Sequence, residues 1–243
     1  MTDDVRIFIG SSSRGEDAPI EAPYEYSLRK NASKELTIEF MRQGLNEHYS
    51  GWNTSRWSTP FSGFRWGIPE RCGFEGRAIY TDCDQLNFKD IVELFNTDMQ
   101  GKPLMARRGQ RFGGHEFCVM LFDCAAMEQY MIPVSRQKNI EDTHHRFIGM
   151  FSGNSQLTGD LDRRWNVLDG EEFAVDDIWH LHYTNMSTQP WKPAWFTGTP
   201  QEHPRKDIVD VYYAMKEEAE RAGYVEENYK GKPDFEYHPF IGR

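Results

Sequence analysis

The chain has 243 residues, 38% of them hydrophobic and 14% aromatic, enough to bury a core rather than remain disordered. Its net charge of −10, without a long basic block, argues against nucleic acid or an anionic membrane surface as the main partner, because both are bound chiefly through Lys and Arg. Apolar runs fall far short of the roughly 20 residues that span a bilayer. The acidic start MTDDVRIFIG does not read as a signal peptide, and Cys72, Cys83, Cys118 and Cys124 form no CxxC pair, so the expected setting is a reducing, cytoplasmic one.

In chain order, VRIFIG stopped by Gly10 and three serines predicts a strand and a loop. Tyr24, Leu28 and Ala32 form a helical stripe over 24–32, and LTIEFM predicts a second strand. This β-loop-α-β opening predicts an α/β sheet domain. Residues 44–60 have turn chemistry and aromatics without a period and read as a long loop, and 61–72 as a helix. GRAIYTDCD predicts a third strand, DIVELF a short helix, and the stretches around Leu104 and over 117–122 two more strands. Residues 128–154 give no single reading, and DIWHLHYT alternates as a late strand. RKDIVDVYYAMKEEAERAG is an amphipathic helix with Ile208, Val211, Tyr212 and Met215 on its apolar face and Gly223 as its stop. The expected organisation is one α/β domain over 1–200 and a C-terminal helical appendage over 201–243. The helix's apolar face packs on its own domain, makes a homodimer, or docks on a membrane-bound acceptor; Asp207, Asp210, Glu217, Glu218 and Glu220 disfavour an anionic bilayer.

The chemistry concentrates in a few places. On a strand, Asp82 and Asp84 project to one face and Cys83 to the other. Two converging carboxylates repel unless a hard divalent cation lies between them, and such a cation also neutralises a diphosphate. A solvated turn is the plain alternative. His180 and His182, again two apart, offer an imidazole, and a mixed oxygen and nitrogen site suits Mn²⁺ better than Mg²⁺; the spacing leaves open which histidine faces the metal. Arg14, Arg65, Arg107, Arg108 and Arg111 are candidates for a phosphate-receiving pocket.

Several segments together resemble the metal-dependent GT-A glycosyltransferases, in particular the glycogenin and bacterial galactosyltransferase group (family 8-like) and its small phage and bacterial relatives. RIFIGSSSR resembles the group's first strand and nucleotide loop. The stretch STPFSGFRWGIPERCGFEGRAIYTDCDQLNFKDIVELF is similar to its helix with an Arg, Ile-Pro, strand, Asp-x-Asp and a helix ending Glu-Leu-Phe. FCVMLFDC, LDRRWNVLDGE and LHYTNMSTQPW resemble, in order, a strand behind the acceptor side, a Trp-Asn segment, and the His-Tyr then Pro-Trp motif. The similarity runs in order from residue 5 to about residue 195.

The resemblance implies a Rossmann-like fold with a mixed, mostly parallel central sheet, and a hexose transferred from a nucleoside-diphosphate sugar, UDP favoured, to a glycan or other hydroxyl acceptor with retention. It implies Asp82, Asp84 and His182 as ligands of Mn²⁺ or Mg²⁺. For donor binding it implies Gly10, Ser11, Ser12, Arg14, Arg65, Asp82, Cys83 and Gln189, with Arg65 approaching either the donor diphosphate or Asp82 itself. Glu116, Asn154 and Gln156 fall beside the reacting sugar as catalytic residues, and Trp191 and Asp160 on the acceptor side. Trp52, Trp57, Trp191 and Trp195 are candidates for stacking on sugar rings, with core packing as the alternative. Ser12 stands where relatives often have Asp, and Gln189 near a diphosphate-binding Lys for which Lys192 is a substitute. Two other readings remain: a haloacid-dehalogenase-like phosphatase using Asp82 and Asp84, with Asp176 and Asp177 as its late acidic pair, and a non-catalytic nucleotide-sugar or carbohydrate binder.

Overall fold

The computed structural model describes residues 4–12, 15–109, 113–192 and 198–230. The opening is as expected: β1 (Val5–Ser11), α1 (Ala18–Asn31) and β2 (Leu36–Arg42), with β1 and β2 parallel. α1 begins six residues before the apolar stripe that announces it. Pro19 falls in the first turn, where a missing N–H costs nothing. Pro23 lacks the N–H that would close onto the Pro19 carbonyl, and that oxygen instead accepts the Tyr212 hydroxyl at 3.0 Å.

The 44–60 segment is irregular apart from a 3-10 turn over Glu47–Tyr49. The helix expected over 61–72 is shorter, a 3-10 turn over Phe64–Gly67 running into α2 (Ile68–Arg71). Gly63 accounts for the late start, because its backbone lies against the Trp57 ring where no Cβ fits. Then follow β3 (Arg77–Asp82), β4 (Gln85–Asn87), α3 (Ile91–Phe95), β5 (Leu104–Arg108) and β6 (His115–Asp123). The undecided 128–154 stretch lies after α4 (Cys124–Met127) and holds α5 (Val134–Gln137) and α6 (Thr143–Phe151). β7 (Thr158–Leu161), β8 (Val167–Leu168), β9 (His180–His182) and α7 (Lys206–Arg221) complete the order.

The six-stranded central sheet has the order β2-β1-β3-β6-β5-β7. β6 runs against the other five strands, which share one direction. A separate three-stranded sheet, β4-β9-β8, begins immediately after β3 ends. Two cores result. The larger joins the central sheet to the aromatics of 49–66 and to α6. The smaller joins α1, the second sheet and α7 through Ile20, Leu86, Leu181, Tyr183, Ile208 and Tyr212. The apolar face of α7 is therefore covered by the chain itself, with Ile208, Tyr212, Met215 and Ala219 all buried. No helix among the described residues is long and apolar enough to cross a membrane.

Two expected outcomes follow from this packing. Replacing Tyr212→Phe leaves the Pro19 carbonyl without its donor and costs about 1–2 kcal/mol. In a Pro23→Ala background, where a helical N–H returns to that carbonyl, the cost shrinks, as a double-mutant cycle of denaturant unfolding would measure. The second outcome concerns pH. His144 is 5% exposed, and its Nδ1 accepts the Trp66 indole N–H at 3.1 Å. Burial, with Arg65 and His145 adding to it, lowers its pKa from 6.5 to about 2. Below pH 6.5 the unfolded chain takes up a proton that the folded chain refuses, so stability present above that pH is lost as pH falls toward 2. At about pH 4.5 the loss is about 3 kcal/mol, and His144→Gln flattens the pH dependence of unfolding by about one proton.

Candidate active site

The site lies where α/β sheets bind ligands, outside the carboxyl ends of parallel strands. β1 and β3 pair in parallel with Gly10 opposite Asp82. A Cβ on Gly10 would sit 2.5 Å from the Tyr80 hydroxyl and from the Phe61 ring, so the glycine makes room for that hydroxyl. Tyr80, two residues before Asp82 on the same face, donates it to Asp82 Oδ1. Arg65, 6% exposed, donates to the same oxygen from Nη2 at 3.1 Å, to the Ser62 carbonyl from Nε at 2.9 Å, and to the Phe117 carbonyl from Nη1. Its guanidinium also lies 4.3 Å from the Tyr80 ring centre.

The Asp-x-Asp pair does not sit on one strand, contrary to the face argument. β3 ends at Asp82, and the chain turns through Cys83 and Asp84 into β4 of the second sheet. In β4-β9 pairing Gln85 lies opposite His182, and the Tyr183 N–H donates to the Asp84 carbonyl at 3.0 Å. The turn thus brings Asp84 to His182, with Oδ1 3.1 Å from Nε2. Gln189 Nε2 reaches Asp84 Oδ2 at 3.4 Å and the Tyr183 carbonyl at 2.8 Å.

Asp82, Cys118 and His182 place one donor atom each within 4.8 Å of one another. The Nδ1 of His182 faces Asn166 Oδ1 at 3.2 Å. An amide oxygen only accepts, so Nδ1 carries a proton and Nε2 is the nitrogen turned to the carboxylates. Asp84 Oδ1 is a buried oxygen with no hydrogen-bond partner, although Nε2 is close. Burial alone would lower the His182 pKa, but Asp84 and Cys118 outweigh it and hold His182 well above the usual range. That direction puts a proton on Nε2 toward Asp84 in the metal-free site, and a divalent cation would take that proton's place, because imidazole nitrogen and carboxylate oxygen donors both suit one.

The other expected residues divide into groups. Ser11 is fully buried, its hydroxyl donating to Glu21 and accepting Arg42 Nε at 3.1 Å. Ser12 Oγ accepts the Asp17 N–H at 3.3 Å, and Cys83 is 2% exposed. Glu116 shares a face of β6 with Cys118, and its Oε2 is 2.7 Å from Arg107 Nε. Asn154 caps its own turn, accepting the Gln156 N–H at 3.1 Å, and Gln156 is exposed. Asp160 on β7 pairs with His115 Nε2 at 2.9 Å and Arg108 Nη2 at 3.1 Å.

Some expectations are corrected. The phosphate pocket of arginines is not what Arg65, Arg107 and Arg108 build, because each is paired with a carboxylate. Arg107 is fully buried and grips Glu171 with two nitrogens, at 2.7 and 2.9 Å. Trp52, Trp57 and Trp191 are at most 8% exposed and pack on other aromatics, so none presents a ring face to a sugar. The Lys192 ammonium donates to the Ser187 and Gln189 carbonyls at 2.9 and 2.5 Å. Arg14, Arg111 and Trp195 lie outside the described residues.

The sequence reading missed four residues around this site. Cys118 looked like one apolar residue in a strand, and Asn166 carried no assigned role. Asp17 and Glu21 carried no assigned role either; burial pushes them up to about 6 and about 7. The signal for Cys118 was its position in the strand beside β3, which only the pairing register reveals.

Arg65→Met removes the cation from a buried carboxylate and leaves the Ser62 and Phe117 carbonyls without their donor. We expect a loss of about 3–5 kcal/mol in denaturant unfolding, against about 1 kcal/mol for Tyr80→Phe, which leaves the ion pair in place.

The sequence matches no family model and no curated protein. Solved structures are similar in shape. An active-site mutant of LgtC matches with a TM-score of 0.60 at 13% identity, over 88% of this chain and 96% of that one. The galactosyltransferase LgtC in complex with donor and acceptor sugar analogs matches with a TM-score of 0.58 at 12% identity, over 91% and 100%. The glycosyltransferase GlyE of Streptococcus pneumoniae TIGR4 matches with a TM-score of 0.62 at 14% identity, over 96% of this chain and 66% of that one. At such identities the likeness is one of architecture, and with its mostly parallel six-stranded sheet the chain has the GT-A fold.

Proposed function

We propose that the protein is a metal-dependent glycosyltransferase that moves a hexose from a nucleoside-diphosphate sugar, UDP-linked, to a hydroxyl of a glycan or other acceptor, with retention at the anomeric carbon. The observation that carries this reading is that His182 stands at the carboxyl end of β3 within 4.8 Å of Asp82 and 3.1 Å from Asp84, in a fold shared with glycosyltransferases. Asp82, Asp84 and His182 would hold Mn²⁺ or Mg²⁺, which when bound supplies positive charge against the departing diphosphate.

The chain's own groups prepare that site. Arg65 and Tyr80 fix one oxygen of Asp82 and leave the other to face the cleft. Asn166 fixes the ring of His182 so that Nε2 points inward, and Gln189 steadies Asp84 from behind. Ser12 and Asp17, at the carboxyl end of β1 and the start of α1, would line the nucleoside. Glu116, beside Cys118 on β6, is the carboxylate nearest to the cleft along that strand. Held by Arg107, it would position the sugar rather than move a proton. A phosphatase reading is weaker, because its nucleophile would be Asp82, one of whose oxygens already accepts from Arg65 and Tyr80.

Hydrolysis of UDP-hexoses with Mn²⁺, followed by UDP release, tests the reading. Wild type is expected to turn over only with metal, and Asp84→Asn to lose about a hundredfold or more. Equal, metal-independent turnover by both would overturn it.

A further inference from the structure

Asp82 and His182 share their cluster with a third donor, the sulfur of Cys118, while Asp84 adjoins it through His182. We propose that the sulfur of Cys118 is a further ligand of the same cation, so that the centre is a mixed oxygen, nitrogen and sulfur site favouring Zn²⁺, Cd²⁺ and Co²⁺ over Mg²⁺. The inference rests on the metal-dependent reading above and deepens it.

Strand register brings the sulfur to the site. In the antiparallel β3-β6 pair Thr81 lies opposite Val119, so one further step sets Cys118 beside Asp82 on the same face. The backbone there is held from both sides. Gln85 Nε2 donates to the Cys118 carbonyl at 3.1 Å, and Arg65 donates to the Phe117 carbonyl. Cys118 therefore cannot slide relative to the acid it faces.

Distance agrees with shared coordination. Ligands of one ion at about 2.0–2.3 Å stand at most about 4.6 Å apart. The Asp82, Cys118 and His182 donors already lie within 4.8 Å, so closing on an ion needs only side-chain rotation. Cys118 is half-buried and accessible to an entering ion. The other thiols are elsewhere: Cys72 and Cys124 contact each other, and Cys83 faces Asp17. On binding, the thiol proton passes to solvent, the sulfur lone pair forms the bond, and one water leaves the ion. A thiolate donor raises affinity for softer ions far more than for Mg²⁺, and Mn²⁺ falls between.

The test uses the full chain loaded with Co²⁺, without nucleotide. Wild type is expected to show a sulfur-to-cobalt charge-transfer band in the near ultraviolet that is absent from Cys118→Ser and Cys118→Ala. In calorimetry the Cd²⁺ affinity of both variants is expected to fall about tenfold or more, with a smaller change for Mn²⁺. Thermal melts of the metal-free proteins identify a variant that fails to fold, and the wild-type spectrum alone then decides. Stoichiometric Co²⁺ binding by wild type without the band, or a band that persists in a folded Cys118 variant, overturns the assignment and leaves the metal reading standing. Failure of wild type to bind Co²⁺ and Mn²⁺, or equal binding by Asp84→Asn, overturns the metal reading and this inference together.

Discussion

Everything at the site depends on one buried cation, the guanidinium of Arg65. A carboxylate at the end of a buried strand is unfavourable by several kcal/mol unless something compensates it. Arg65 compensates Asp82 and, with its remaining N–H groups, ties together the Ser62 turn and the β6 backbone at Phe117. The planar fork reaches three elements at once, which a lysine could not do. Asp82 is thereby fixed as a carboxylate, with one oxygen committed to the protein and the other left for the cleft. Gly10 belongs to the same arrangement, since any larger residue would displace the Tyr80 hydroxyl that shares this oxygen.

The second sheet solves a different problem. A single strand cannot present both aspartates and a histidine to one point, so the chain leaves the central sheet between Asp82 and Gln85. β4 then pairs with β9 and brings in His182. That small sheet is too short to be stable alone. It rests on the core shared by α1 and α7, where the Tyr183 hydroxyl donates to the Ile208 carbonyl at 2.7 Å and Tyr212 covers the Pro19 carbonyl. The C-terminal helix is thus structural support for the residue that follows His182, and the proline in α1 has its partner there. A segment that looked like an appendage in the sequence is part of the second core.

What could be read from sequence was what depends on local pattern. VRIFIG, LTIEFM and AIYTD are strands because their apolar residues are continuous, and α7 is legible because its apolar residues recur every third or fourth position. The start of α1 was hidden because its apolar stripe begins only at Tyr24, and the donor to the Pro19 carbonyl, Tyr212, lies far along the chain. The helix expected over 61–72 shrank because Gly63 answers to a tryptophan ring rather than to helix propensity. The arginines and tryptophans were misjudged for a related reason: composition shows that Arg107 and Trp191 can bind a phosphate or a sugar, but only packing shows that both are already engaged. Asp82, Asp84 and His182 were accessible because the ordered motifs carried them. Cys118 was not, because its meaning lies in the register of β6 against β3.

The histidine ligand also draws on a network that no local motif contains. Asn166 uses two different oxygens: its side chain accepts from His182 Nδ1, and its backbone carbonyl accepts from Arg107. Arg107 is held in turn by Glu171 and Glu116, so the orientation of His182 is anchored through an ion network to β5 and β6. A bulge in the β5-β6 pairing between Ala106 and Arg107 directs that arginine into the site wall. The same network holds Glu116, two residues from Cys118, and so links β6 to His182. Charge that would be unfavourable in a low-dielectric cleft is neutralised before any ligand arrives. At the centre of that network His182 and Asp84 face each other at 3.1 Å, and the carboxylate holds the imidazole in its charged form until something else supplies the positive charge.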